Sequence, residues 1–265
     1  MARRVLAGGD EPGNVVFDLD GCLYVGDQPV AGARKTLQRL RSRGFRLLFA
    51  TNNSTKTAEV VADRLEAITG FTASADAVIT SADAAATMLE EGDEPVMPIG
   101  EAGLVGTLVA LGVSVTEDPS EAKTVMVGLD RAISYDRIRR AAQAVILGAR
   151  FIGTNPDATF PTNAVPVPGA GAIIAAVERA AGRPPEFAGK PFAPMRAAIE
   201  RRLGGGPTWM VGDRPDTDIA CGRLAGWETV LVLTGVAADA IGLPPESTPD
   251  HVIPSVAALP AILGR

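Results

Sequence analysis

Three apolar residues, Val15-Val16-Phe17, run directly into Asp18-Leu19-Asp20-Gly21. An unbroken apolar run of this length, closed by a glycine-marked turn, reads as a buried strand. It delivers two carboxylates to the strand's carboxyl end, the place where open α/β sheets hold their ligands. Carboxylates left unpaired there are costly, so a cation or a proton is expected beside them. An isolated Asp-x-Asp also has a plainer reading, as a cap for the turn that follows. The rest of the chain weighs between the two.

Short β-like runs alternate with helix-like stretches along most of the sequence, which predicts an α/β fold: a doubly wound, Rossmann-like parallel sheet covered on both faces. Strands are predicted at 14–17, 46–50, 77–79, 208–211, 229–233 and 251–253. Between the first two, Ala33, Leu37 and Leu40 recur at helical spacing and Gly44 follows as a stop. After the second, Val61, Leu65 and Ile68 repeat the pattern and Gly70 ends it. The middle of the chain carries a second β/α series, with strands at 96–99, 125–127 and 151–153 and helices near 104–111 and 135–147. Pro and Gly flank that series at Gly92–Pro95 and at Gly182-Arg183-Pro184-Pro185. The expected organisation is therefore a core formed by residues 1–88 and 184–265, with residues 89–183 inserted as a smaller α/β unit. Residues 1–13, rich in Gly, Asp, Glu and Pro towards their end, are expected to be a flexible lead-in.

The 265 residues are 46% hydrophobic with a formal net charge of −6, the make-up of a globular protein and not of a nucleic-acid binder. Basic residues cluster only at Arg137, Arg139 and Arg140. Neither a signal-peptide core nor a bilayer-length apolar run is present, so a cytoplasmic protein without a membrane partner is expected. Two cysteines, Cys22 and Cys221, give no disulfide framework and are expected as reduced thiols. With His251 the only histidine, proton transfer is expected to fall to carboxylates.

Three further motifs sit at strand ends or helix starts. Phe49-Ala50 stops at Thr51-Asn52-Asn53-Ser54; Gly189-Lys190-Pro191 presents a lysine before a helix; Met210-Val211 stops at Gly212-Asp213-Arg214-Pro215-Asp216-Thr217-Asp218-Ile219. Singly, each has a bland reading: a polar turn or helix cap, a solvated lysine, an acidic cap. Jointly, and in this order, they make a phosphoryl-transfer site. Asp18 and Asp213 supply hard oxygen ligands suited to Mg²⁺. Thr51 and the adjacent amides donate to phosphoryl oxygens, and Lys190 adds a compact positive charge. One carboxylate can attack phosphorus while a second manages the leaving-group proton.

With those four motifs in place, the chain resembles the haloacid dehalogenase (HAD) superfamily phosphatases, and within them the p-nitrophenyl-phosphatase or NagD-like branch with a type IIA α/β cap. Gly153-Thr154-Asn155-Pro156-Asp157 and Pro168-Gly169-Ala170-Gly171 match that branch as well. The resemblance implies a Mg²⁺-dependent phosphoric monoester hydrolase working through an aspartyl-phosphate. In it Asp18 is nucleophile and metal ligand, and Asp20 is general acid and base, giving the metal its backbone carbonyl. Thr51, Asn52 and Asn53 hold the phosphoryl group, Lys190 neutralises charge, Asp213 is a metal ligand, and Asp218 orients Lys190 or a metal-bound water. The inserted unit becomes the cap, with Asn155, Asp157 and Phe160 facing the substrate. Cys22 is a packing residue in the turn. Similar proteins pair through their caps, so a homodimer by that route is an expectation carried by resemblance alone. The substrate class is a small phosphate monoester of sugar, glycerol, nucleotide, pyridoxal or p-nitrophenyl type. A phosphotransferase or mutase using the same phospho-aspartate is the alternative, and a phosphometabolite-binding regulator the more distant one.

Overall fold

The apolar runs pair side by side as the centre of one parallel sheet. The structure, a computed structural model, describes residues 12–160, 165–237 and 239–263; most of the expected flexible lead-in lies outside them. In chain order the first part comprises β1 (Asn14–Phe17), β2 (Tyr24–Val25), β3 (Gln28–Pro29), α1 (Ala33–Ser42), β4 (Arg46–Thr51), α2 (Ala58–Thr69), β5 (Val78–Thr80) and α3 (Ser81–Ala86). The middle comprises β6 (Val96–Ile99), α4 (Ala102–Ala110), β7 (Thr124–Val127), α5 (Tyr135–Ile146), β8 (Arg150–Gly153), β9 (Thr159–Phe160), β10 (Val167–Pro168), α6 (Ala170–Ala181) and β11 (Glu186–Phe187). The chain closes with α7 (Ala193–Glu200), β12 (Thr208–Gly212), α8 (Ala220–Leu224), β13 (Glu228–Val232), β14 (His251–Ile253) and α9 (Leu259–Ile262).

Six strands form the main sheet in the order β14-β13-β12-β1-β4-β5, all parallel. The order of growth reverses between β1 and β12, and ligands of such sheets lie in the crevice at that reversal. The side chains alternate as a strand buried on both faces requires. Val15 and Phe17 join Leu37 of α1, Leu65 of α2 and Leu259 of α9 on one face. Val16 joins Ile79, Met195 of α7 and Met210 on the other. Phe17 and Phe49 stack across β1 and β4 with ring centroids 6.0 Å apart.

Four more strands form a second parallel sheet, β11-β8-β7-β6. One face is covered by Val145 of α5 and by Ile174 and Val177 of α6. From its other face Met126 and Ile152 pack into the same cluster as Val16, Leu104 and Met195. The hydrophobic core is thus continuous from one sheet to the other. The composition shift at 184 suggests a return to the main sheet there. Yet Glu186 and Phe187 still pair with Ile152 and Gly153, so the second sheet takes one more strand than the sequence implied. A two-residue strand carries no periodicity for sequence to reveal. Among the described residues, no helix is long and apolar enough to cross a membrane.

Candidate active site

β1 and β12 stop one residue short of Asp18 and Asp213, so the reversal point of the sheet carries both carboxylates. The Asp18 N–H donates to Val211 O at 2.8 Å, which continues the β1–β12 ladder to the carboxylate itself. Into the same space comes Lys190, 1% exposed. Its ammonium has three protons and three acceptors: Asp18 Oδ1 at 2.6 Å, Asp218 Oδ1 at 2.7 Å and Ala50 O at 2.7 Å. Asp218 is held at its other oxygen by the Arg214 N–H.

Burial governs the charges here. It pushes the Asp18 carboxyl well above the usual range; Lys190 opposes that, while Asp218 and Asp213 add to it. Burial pulls against the Lys190 ammonium, but Asp18 and Asp218 outweigh it and hold the group protonated. Asp213 is pushed up to about 6, chiefly by burial and then by Asp218. When ionised, the carboxylates of Asp18, Asp213 and Asp218 outnumber the Lys190 ammonium by two charges.

A dication would make up that shortfall, and one atom points to it. Asp213 Oδ1 is buried and has no hydrogen-bond partner, a costly state for a carboxylate oxygen. One carboxylate oxygen from each of Asp18, Asp213 and Asp218 lies within 4.8 Å of the other two. Both oxygens of Asp218 are engaged elsewhere, so Asp18 and Asp213 are the pair with capacity to spare. An all-oxygen donor set suits a hard cation such as Mg²⁺ or Ca²⁺.

Asp20 sits in the turn that leaves β1, its backbone bridged to Tyr24. Burial raises its carboxyl, with Arg64 and then Lys190 pulling the other way. Arg64, on α2, also binds Gly26 O at 3.0 Å and Asp27 at 2.9 Å, tying down the β2–β3 hairpin at the cleft's rim. Sequence gave no sign of this residue, which reads as one more solvated helix arginine. Thr51 is buried, and its Oγ1 accepts from the Asn53 N–H at 3.1 Å, so its own proton remains to donate.

Asn52, expected to grip phosphate, has its carboxamide committed elsewhere. Oδ1 accepts from the Lys190 N–H at 2.7 Å; Nδ2 donates to Lys190 O at 3.1 Å and to Asp157 Oδ2 at 3.3 Å. The side chain clasps the lysine loop by both backbone groups. Asn53 likewise turns its Oδ1 onto Thr55 N and Oγ1, both at 2.8 Å. Asn155 donates to Asn52 O at 2.7 Å and accepts from the Asp157 N–H, so it too is a joint. Asp157 lines the cleft, with Arg214 at 3.9 Å. Phe160 stands in β9 opposite Val167; its side chain lies outside what the structure describes. The cleft between the two sheets has a volume of about 580 Å³ and reaches from Asp18, Asp20 and Lys190 to Asn155 and Asp157.

Comparisons with known proteins give the family and the fold. Residues 15–114 match the family model of haloacid dehalogenase-like hydrolases, and residues 187–259 match a second, HAD-hydrolase-like model. An acid sugar phosphatase of Staphylococcus haemolyticus is 38% identical over 225 residues, covering 83% of this chain and 85% of that protein. A crystal structure of glycerol phosphate phosphatase from Mycobacterium tuberculosis in complex with magnesium superposes with a TM-score of 0.85 at 33% identity, over 93% of this chain and 75% of that one. A p-nitrophenyl phosphatase from Archaeoglobus fulgidus superposes with a TM-score of 0.85 at 32% identity, over 94% and 98% of the two chains.

Proposed function

The chain belongs to the haloacid dehalogenase-like hydrolases, and from that premise we propose that it is a Mg²⁺-dependent phosphatase that hydrolyses small phosphate monoesters through a phospho-Asp18 intermediate. Its relatives are phosphatases named for sugar, glycerol and p-nitrophenyl phosphates. The observation that carries the reading is the buried triad of Asp18, Lys190 and Asp213 at the sheet's reversal point, with Asp213 Oδ1 left without a partner.

Asp18 presents one oxygen to Lys190 and the other to the ester. That oxygen attacks phosphorus as the bond to the leaving oxygen breaks. Asp20, whose carboxyl burial raises above the usual carboxylate range, gives the leaving oxygen its proton. It then takes a proton from the water that attacks the acyl phosphate, releasing phosphate and restoring Asp18. Thr51 Oγ1 and the main-chain N–H of Asn52 hold the phosphoryl oxygens, while the Asn53 N–H orients the Thr51 hydroxyl. The Asn52 side chain holds Lys190 in place instead, and Asp218 fixes the lysine from below. Asp18, Asp213 and the Asp20 carbonyl would hold Mg²⁺, which would supply the positive charge that lets an anionic nucleophile meet an anionic phosphate. The second sheet, β11 included, and the helices packed on it serve as the cap that shields the reacting groups from bulk water. The reading assigns this activity to the cytoplasm, with both cysteines kept as thiols.

The test is phosphate release from a panel of monoesters, with Mg²⁺ and with chelator, for the wild type and Asp18→Asn. Mg²⁺-dependent release that Asp18→Asn reduces by three orders of magnitude or more, on the order of the loss when a nucleophile is removed, is the expected result. Release that persists in the variant would overturn the assignment of Asp18.

A further inference from the structure

The loop after β13, Thr234-Gly235-Val236, belongs to none of the motifs above, yet it is built around Asp213. The Val236 N–H donates to Asp213 Oδ2 at 2.6 Å. The Ala237 N–H donates to the Asp213 main-chain oxygen at 3.2 Å. Thr234 Oγ1 donates to Gly21 O at 2.6 Å, which ties the loop to the turn that carries Asp20.

Two glycines close on the carboxylate. A Cβ on Gly235 would stand 1.9 Å from Asp213 Oδ2, and a Cβ on Gly21 would stand 2.4 Å from the same atom. Gly21 has a second reason to be glycine, its φ of +82°. Gly235 is not among the left-handed glycines, so close approach to Asp213 is the demand placed on it. The carboxylate is therefore gripped at one oxygen while its other oxygen, Oδ1, is buried without a partner, in a residue whose carboxylate clusters with those of Asp18 and Asp218.

We infer that the Thr234–Val236 loop is the positioning device of the cation site, with Gly235 and Thr234 as positioning residues that act through Asp213. A carboxylate free to turn would swing away from that of Asp18, because the two anions repel when no cation lies between them. The loop prevents that rotation. The fold thus meets the cost of bringing two anionic oxygens together before any cation arrives, which is how supporting contacts raise the affinity of a metal ligand. The inference rests on Asp213 being a Mg²⁺ ligand, as proposed above.

The experiment titrates the full chain with Mg²⁺ alone and reads its dissociation constant from the thermal unfolding shift, for the wild type, Gly235→Ala, Thr234→Val and Asp213→Asn. Gly235→Ala is expected to weaken Mg²⁺ binding by about 10-fold or more, within the range seen for supporting residues of metal sites. Its midpoint in chelator should stay within a few degrees of the wild type. Wild-type affinity in Gly235→Ala overturns the inference. Should that variant fail to fold, Thr234→Val takes its place, with weakened binding expected and wild-type affinity again overturning it. Asp213→Asn separates the two levels. If it binds Mg²⁺ as the wild type does, the reading of Asp213 as a ligand fails; if it alone loses binding, only the role of the loop fails.

Discussion

At the scale of single residues, the site is a problem in buried charge. Among the described residues, Lys190 is the one ammonium paired with the carboxylate cluster, and it is itself almost fully buried. Removing one partner of a buried ion pair commonly costs about 3–5 kcal/mol. Lys190→Met is therefore expected to lose stability of that order in urea unfolding with chelator present; a loss below about 1 kcal/mol, the level of an exposed pair, would argue against this electrostatic picture. The raised carboxyls also set a pH dependence. Between the ordinary carboxylate range and about pH 6, the unfolded chain has given up a proton that folded Asp213 still holds, and Asp18, raised by burial, adds in the same direction. Without a cation, stability should thus fall as pH rises through that window. Glu101 and Glu186, lowered chiefly by bonds from Arg131 and Arg150, act below it. Mg²⁺ competes with those protons, so its stabilisation should be larger at pH 7 than at pH 5. Thermal unfolding at both pH values, with and without Mg²⁺, checks the sign; an equal shift at both would contradict it.

At the scale of elements, the two sheets are joined by connections that one arginine ties together. Arg150, at the start of β8, reaches Met88 O and Asp93 on one connection, each at 2.7 Å, and Glu186 on the other at 2.8 and 2.7 Å. These groups are partly exposed, so the network is worth about 1 kcal/mol. Arg150→Gln should lower the unfolding midpoint by roughly 2–4 °C and speed amide exchange at β11; unchanged exchange there would mean that the tie does not hold the strand. This scale also marks where sequence stopped being informative. The buried strands of the main sheet and the carboxylates at their ends were legible because apolar runs closed by polar residues leave a plain signal. The β2–β3 hairpin and β11 were not, since two-residue strands have no period to detect. Asn52 and Asn53 stood beside Thr51 like phosphate ligands, but only folding shows that their side-chain oxygens are spent on Lys190 and Thr55. The Thr234–Val236 loop carries no charge, and its importance comes from what Asp213 brings near it in space.

At the scale of the whole molecule, one hydrophobic cluster includes Val16 of the main sheet and Ile152 of the second. The two units should therefore unfold together. Trp209 and Trp227, the chain's two tryptophans, both lie on the main-sheet side, whereas circular dichroism reports every helix. Coincident fluorescence and dichroism transitions are expected; a dichroism phase with no fluorescence counterpart would show the inserted unit melting alone. That shared core holds the second sheet beside the cleft that Asp18 lines, and the proposed chemistry stands or falls with that carboxylate. The most direct measurement is a rapid quench of the Mg²⁺-loaded enzyme, during turnover of a phosphate monoester, into borohydride, which reduces an acyl phosphate to an alcohol. Peptide mass spectrometry then shows whether Asp18 has become homoserine. Conversion at Asp18, and at no other carboxylate, is the predicted result. An unmodified Asp18 in enzyme that is releasing phosphate, in a quench fast enough to catch the first turnover, would contradict the phospho-aspartate route.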